Sequence, residues 1–317
     1  MKSIFKEITL VSLLIFTCLA CKEREDVKID LSFEELTVVE GVRLSQATGF
    51  VISENESHAY VVTRESNPQN AVSSERVLVV DLINSTQAAY YFDQSDFISK
   101  NAHLIDNKLI VIGGSYINTY NLTFDSDPVS VEHGLALSRF GSTTFDGELY
   151  VWGGDLNMTE SHLIKQWSFQ NNVFMDVAQM PTPKTWADGE IVNDKLYIFG
   201  GQEQFDGTPP NDIIYVYDRM GSSFMTSHLP YALSRTFTAK HGQLIYVAGH
   251  IGTDNDLSSV IGVYNTQTDS FIELNFRVNE VLQGNIHQIA IAGNSIYILY
   301  GDEIDLEPLS IMKAIIP

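Results

Sequence analysis

The stretch Leu196–Gly201, LYIFGG, decides the fold because the chain keeps returning to it. LIVIGG stands at Leu109–Gly114 and LYVWGG at Leu149–Gly154, and degenerate copies follow as IYVAGH at Ile245–His250 and IYILYG at Ile296–Gly301. The copies start 40, 47, 49 and 51 residues apart, a period typical of architectures in which each repeat is one small sheet. An unbroken apolar run of four or five residues stopped by glycine reads as a strand buried on both faces.

The copy around Leu196 shows the whole unit. Trp186 to Ile191 reads as an inner strand, Asn193 and Asp194 as a turn, and Lys195 to Phe199 as a second strand ended by Gly200 and Gly201. A loop with Gly207, Pro209 and Pro210 leads to an alternating third strand, Asp212 to Asp218, and a turn then leads to a fourth, Ser223 to Leu229. Four antiparallel strands in under fifty residues make one blade of a propeller. The third strand ends on an aromatic and a small polar residue: Tyr120 and Asn121, Trp167 and Ser168, Tyr217 and Asp218, Tyr264 and Asn265. Phe174, Phe224 and Phe271 each follow seven residues after the aromatic.

The glycine pair, the aromatic ending and the later aromatic resemble the kelch family, with phenylalanine where that family prefers tryptophan. The resemblance implies an all-β, six-bladed kelch-like propeller. Its second strands fall at Ala59 to Val62, Leu109 to Ile112, Leu149 to Trp152, Leu196 to Phe199, Ile245 to Ala248 and Ile296 to Leu299. The chain ends one strand short in the last blade. Ile29 to Phe33 matches Ile272 to Phe276 in character, so the N-terminal strand is expected to complete blade six.

Lys2 and Lys6 precede an apolar stretch from Ile8 to Leu19 that meets Ala20 and Cys21, which reads as a secretory signal. Leu19, Ala20 and Cys21 resemble the lipobox of bacterial lipoproteins, implying cleavage before Cys21 and lipid attachment to it. The expected organisation is a signal peptide at 1–20, a lipidated, charged tether at 21–26 and a single propeller domain at 27–317. Lys22 and the acidic residues after it also resemble the surface-export signal of Bacteroidetes lipoproteins. The expected location is therefore the bacterial envelope, as an outer-membrane lipoprotein displayed at the surface, held by lipid alone. The full chain carries 19 basic and 40 acidic side chains, a net charge of −21. Loss of Lys2, Lys6 and Glu7 leaves 17 and 39, or −22, a field that repels nucleic-acid phosphates.

In a four-stranded blade the loop before the inner strand and the loop between the second and third strands share one face. Basic residues recur there at Arg43, Lys100, Arg139, Lys184 and Arg235, with Gln283 at the sixth position. Arg139, Trp186 and Arg235 each lie fourteen residues before the first glycine of their repeat, a position that in kelch propellers often points into the mouth of the central channel. Two guanidinium groups and an indole there suit a carboxylate-bearing ligand. The same ring also fits a purely structural role, with Lys100 and Lys184 simply solvated. Asp155, Glu160, Glu203, Asp206, Asp254, Asp256, Asp302, Glu303 and Asp305 form an acidic rim. Asp254 and Asp256 lack the glycine-containing loop of a calcium site, and the eight histidines lack zinc spacing. His250 replaces the second glycine of its repeat, where the second strand is expected to leave the sheet.

These residues support two readings. In the first the propeller is a monomeric binding module that holds a protein or glycan ligand through Arg43, Arg139, Trp186, Arg235, Asp155 and His250, without metal or cofactor. In the alternative it resembles the sialic-acid mutarotases among bacterial kelch propellers, with Arg139 and Arg235 clamping the sugar and Asp155 or His250 moving the proton. Galactose-oxidase-like chemistry needs a cysteine joined to a tyrosine beside copper, and the mature chain retains only Cys21.

Overall fold

The structure is a computed structural model, and it describes residues 29–39, 49–66, 73–92, 101–156, 159–204, 208–251, 258–278, 285–301 and 309–316. All regular structure among them is β. Three four-stranded antiparallel sheets come first. They are Gly49–Ile52, His58–Ser66, Ser73–Asp81 and Thr86–Phe92; then Asn101–Ile105, Lys108–Ile112, Tyr116–Asn121 and Val129–Glu132; then Gly141–Phe145, Glu148–Trp152, Leu163–Ser168 and Val173–Gln179. Apart from a short three-stranded ribbon, the other strands form one large curled sheet of eleven. Asp188–Val192, Lys195–Phe199, Asn211–Asp218, Ser223–His241, Leu244–Ile251, Ser258–Asn265 and Ser270–Val278 follow one another across it. Ile29–Val39 comes next, then Leu309–Ile315, Ser295–Gly301 and Asn285–Ala292. Repeated four-stranded meanders of this kind define a β-propeller-like fold.

The repeated apolar runs are the middle of this arrangement. Leu109, Val111 and Ile112, like Leu196, Ile198 and Phe199, are buried, because a sheet packed on both faces has no solvent side for them. The hydrophobic core is divided into clusters, several of which join two sheets. Leu109 and Val111 pack with Tyr60 and Val77, Tyr150 and Trp152 with Ile191 and Ile198, and Phe50 and Val61 with Leu299 and Ile311. The aromatic spacing has a packing cause as well: the rings of Trp167 and Phe174 lie 4.9 Å apart, and so do those of Tyr217 and Phe224. Tyr264 sits opposite Phe271 across its strand pair.

Contacts with the next sheet explain the glycine pairs. Gly153 and Gly154 have φ of +61° and +68°, and a β-carbon on Gly153 would lie 2.1 Å from the Lys184 carbonyl oxygen. The Gly154 amide donates to that oxygen at 2.7 Å. The pair therefore turns the chain where the next sheet's backbone crosses it, with no room for a side chain.

Three boundaries differ from the sequence reading. Trp186 precedes its inner strand, which begins at Asp188, because its φ of 59° is incompatible with a strand. Ser223–His241 runs as one strand that pairs first with Asn211–Asp218 and then with Leu244–Ile251, where the sequence predicts a break after Leu229. The N-terminal strand divides its pairing. Ile29 to Phe33 lies parallel to Leu274–Val278, and it is Glu34 to Val39 that pairs antiparallel with Leu309–Lys313. Residues 29–33 thus extend the Ser270–Val278 strand's side of the sheet, and residues 34–39 of the same strand are the part that stands beside Leu309–Ile315, as the sequence reading expects of the N-terminal strand.

Candidate functional site

Arg139, Trp186 and Arg235 occupy equivalent places, and the backbone treats them alike. Their φ angles are 54°, 59° and 47°, in the left-handed region that side chains rarely adopt. Hydrogen bonds hold two of the junctions: the Trp186 amide donates to the Arg139 carbonyl at 3.0 Å, and the Thr236 amide donates to the Trp186 carbonyl at 3.0 Å. Thr236 secures the same turn with its hydroxyl, which accepts from the Asp188 amide at 2.7 Å. Strain repeated at one structural position, and over-determined by such bonds, marks a place where side chains are being aimed.

They are aimed at one another. The guanidinium carbon of Arg139 lies 5.6 Å from the Trp186 ring centre, and that of Arg235 lies 5.3 Å from it, both within cation–π range. Arg139 also forms an ion pair with Asp155, and the Ser138 hydroxyl donates to the same carboxylate oxygen at 2.9 Å. Asp155 comes from the loop between second and third strands, so both loop types do meet on one face. A short ribbon of Leu137–Ser138, Asp155–Leu156 and Thr159–Glu160 builds this corner. The cluster can hold a carboxylate on the guanidinium groups and stack a ring or apolar face near the indole.

Other candidates fall elsewhere. His250 is buried inside the strand Leu244–Ile251, paired with Ser234 and Ser259, where the sequence predicts an exit from the sheet. Its Nε2 lies 3.1 Å from the Ile286 carbonyl oxygen of the adjoining sheet. Lys184 is likewise buried, which corrects its reading as a solvated charge. Its ammonium donates to the Gly200 carbonyl at 2.8 Å and lies 4.8 Å from the Tyr215 ring centre, and burial pulls its pKa down to about 7. Cys21, Arg43, Lys100, Asp206, Asp254, Asp256, Gln283, Asp302, Glu303 and Asp305 lie outside the described residues.

The innermost strands surround a cavity of about 280 Å³. Its polar wall carries His103, Ser142, Thr143, Asp188, Glu190, Thr238 and Lys240, none of them a candidate from sequence. Thr143 donates to Glu190 at 2.7 Å, and the Lys240 ammonium lies 3.6 Å from the same carboxylate. Asp188 accepts from the Thr238 amide at 2.9 Å and from its hydroxyl at 3.1 Å. Burial, reinforced by Glu190, pushes Asp188 up to about 7, while burial and Lys240 bring His103 down to about 4.

No family model matches the chain, and no curated protein matches it. Among solved structures it is similar to one titled "Structure of YjhT", with a TM-score of 0.63 and 13% sequence identity, over 88% of this chain and 96% of that one. That likeness supports the propeller-like fold.

Proposed function

We propose that residues 27–317 form a six-bladed kelch-like propeller, closed by the N-terminal strand, whose mouth binds an acidic sugar and speeds exchange of its anomers. Six blades are supported by the innermost strands, each beside the next: Gly49–Ile52, Asn101–Ile105, Gly141–Phe145, Asp188–Val192, residues 234–241 and Asn285–Ala292, the last adjoining the first. Closure is supported by Lys313 and Tyr297 of the last blade, which both donate to Glu56 of the first. Those bonds, Lys313 foremost, hold the Glu56 carboxyl below its usual range.

The observation that carries the functional reading is the pairing of two guanidinium groups on Trp186 beside an ion-paired Asp155. A sugar carboxylate competes with Asp155 for Arg139. Asp155, released, accepts the proton of the anomeric hydroxyl while water protonates the ring oxygen. The ring C–O bond then opens to a carbonyl, rotates and recloses on the other face, with no cofactor required. Saturation-transfer and anomeric-exchange NMR with acidic and neutral sugars tests this. Exchange should quicken for acidic sugars and fall by about tenfold or more in Arg139→Ala or Arg235→Ala; binding confined to neutral sugars, or none at all, overturns it.

A second reading rests on Asp155 being held by both Arg139 and Ser138, and on His250 being buried. If neither group is released, the mouth is a binding module for a glycan or protein, and the same NMR experiment then records saturation transfer without faster exchange. In either case the chain acts from a lipid anchor on Cys21 in the bacterial envelope, a placement supported by Leu19, Ala20 and Cys21. Cys21→Ser should move the protein from the membrane to the soluble fraction, and membrane retention of that variant sinks the anchor.

A further inference from the structure

The central cavity has unlike walls. Asp188, Glu190, Thr238 and Lys240 line one side; Gly49 and Val51 belong to the strand across the ring from Asp188, and Ile291, with Gln288, to the strand beside Thr238 and Lys240. Charge on the polar side is unevenly matched. Glu190 has Lys240 at 3.6 Å and the Thr143 hydroxyl at 2.7 Å. The Lys240 ammonium is turned to the wall, donating to the Ile191 carbonyl at 3.1 Å. Asp188 is held by neutral donors, the amide and hydroxyl of Thr238 and the Gly189 amide. His103 faces the same space and donates or accepts at Ser142, 2.8 Å away, and it stays neutral at physiological pH because burial and Lys240 bring it down to about 4.

A lined cavity that offers one carboxylate without a counter-charge among the described residues, with the apolar side chains of Val51 and Ile291 on other strands of its wall, is matched by an amphipathic cation. A cavity of about 280 Å³ takes a compact guest. The net charge of −21 concentrates small cations at the molecule. We propose that the central cavity is a binding site for a small organic cation, with its ammonium group at Asp188 and its apolar body against Val51 and Ile291. This site is independent of the acidic-sugar reading of the mouth.

Titration calorimetry of the full chain with benzylammonium, benzyl alcohol and benzoate separates charge from shape. At pH 8 benzylammonium should bind about tenfold or more tightly than benzyl alcohol, and benzoate should not bind. Asp188→Asn keeps the acceptor for Thr238 and should remove that preference, whereas Glu190→Gln, whose charge Lys240 matches, should retain it. Only ionised Asp188 attracts the guest, so wild-type affinity should fall about tenfold from pH 8 to pH 6, across the Asp188 titration near 7. That fall should vanish in Asp188→Asn, with cooperative thermal unfolding checking that the variant is folded. Arg139→Ala, which disables the mouth, should leave benzylammonium binding intact. Equal affinity for the amine and the alcohol, no binding of either, or a preference lost in Glu190→Gln and kept in Asp188→Asn overturns the proposal.

Discussion

A left-handed backbone costs a residue with a β-carbon about 1–2 kcal/mol, and the chain accepts that cost at Arg139, Trp186 and Arg235, the side chains that the proposed site uses. At the glycine pairs no side chain is needed and none would fit. Two glycines separate the contributions of strain and contact. Gly147 has φ of +74° with nothing within 4 Å of the place a β-carbon would take, whereas Gly153 has φ of +61° and the Lys184 carbonyl oxygen 2.1 Å from that place. Gly147→Ala should therefore lose only the conformational part, about 1 kcal/mol. Gly153→Ala must also push the next sheet's backbone away and should lose at least about 3 kcal/mol, because overpacking adds to the strain. Urea unfolding of both variants measures the difference, and equal losses would show that the glycine pair serves the repeat through φ alone. The Lys184 carbonyl lies two residues before Trp186, so Gly153→Ala should also weaken ligand binding at the mouth.

Among the elements, the second strands were legible because burial on both faces leaves an uninterrupted apolar signature, and the hairpins because Asn193 and Asp194 accept φ of 50° and 59° at a tight turn. The N-terminal strand was expected beside Leu309–Ile315, and its Glu34 to Val39 half lies there; the parallel pairing of Ile29 to Phe33 was not legible. Alternation in Ile29 to Phe33 states which side chains face inward, and Leu31 and Phe33 are indeed buried, but alternation carries no information about which edge the strand joins. Ile29 to Phe33 consequently lies on the Ser270–Val278 strand that it resembles, and only the following Glu34 to Val39 reaches Leu309–Ile315. The site divides in the same way. The fourteen-residue spacing located Arg139, Trp186 and Arg235, since equivalent repeat positions occupy equivalent places in space. Asp188 and Glu190 escape notice because acidic residues at i and i+2 on a strand look like a solvated face; only the arrangement of inner strands around a common space turns that face inward. His250 misleads because a substituted glycine suggests a changed exit, whereas Gly249 and His250 simply continue the strand Leu244–Ile251.

Across the whole molecule, a chain of net charge −21 would carry the proposed anion site at its mouth and the proposed cation site on its axis, and the two should answer to salt with opposite sign. The guanidinium groups of Arg139 and Arg235 act on a bound carboxylate at contact distance, where screening is weak, while the repulsive surplus of carboxylates is spread over the surface and acts beyond a Debye length of about 10 Å at 0.1 M salt. Added salt therefore removes more of the repulsion than of the clamp. An acidic sugar should bind the mouth as well or better when salt is raised from about 0.05 M to about 0.3 M. Benzylammonium should bind the axial cavity less well over the same range, because salt screens the distributed field that draws the cation in. Paired titrations at the two salt concentrations measure both slopes. A steep loss of sugar affinity with salt would mean that Arg139 and Arg235 behave as open surface charges instead of a clamp ordered by Trp186, and the mouth would then have to be sought among other loops of the same face.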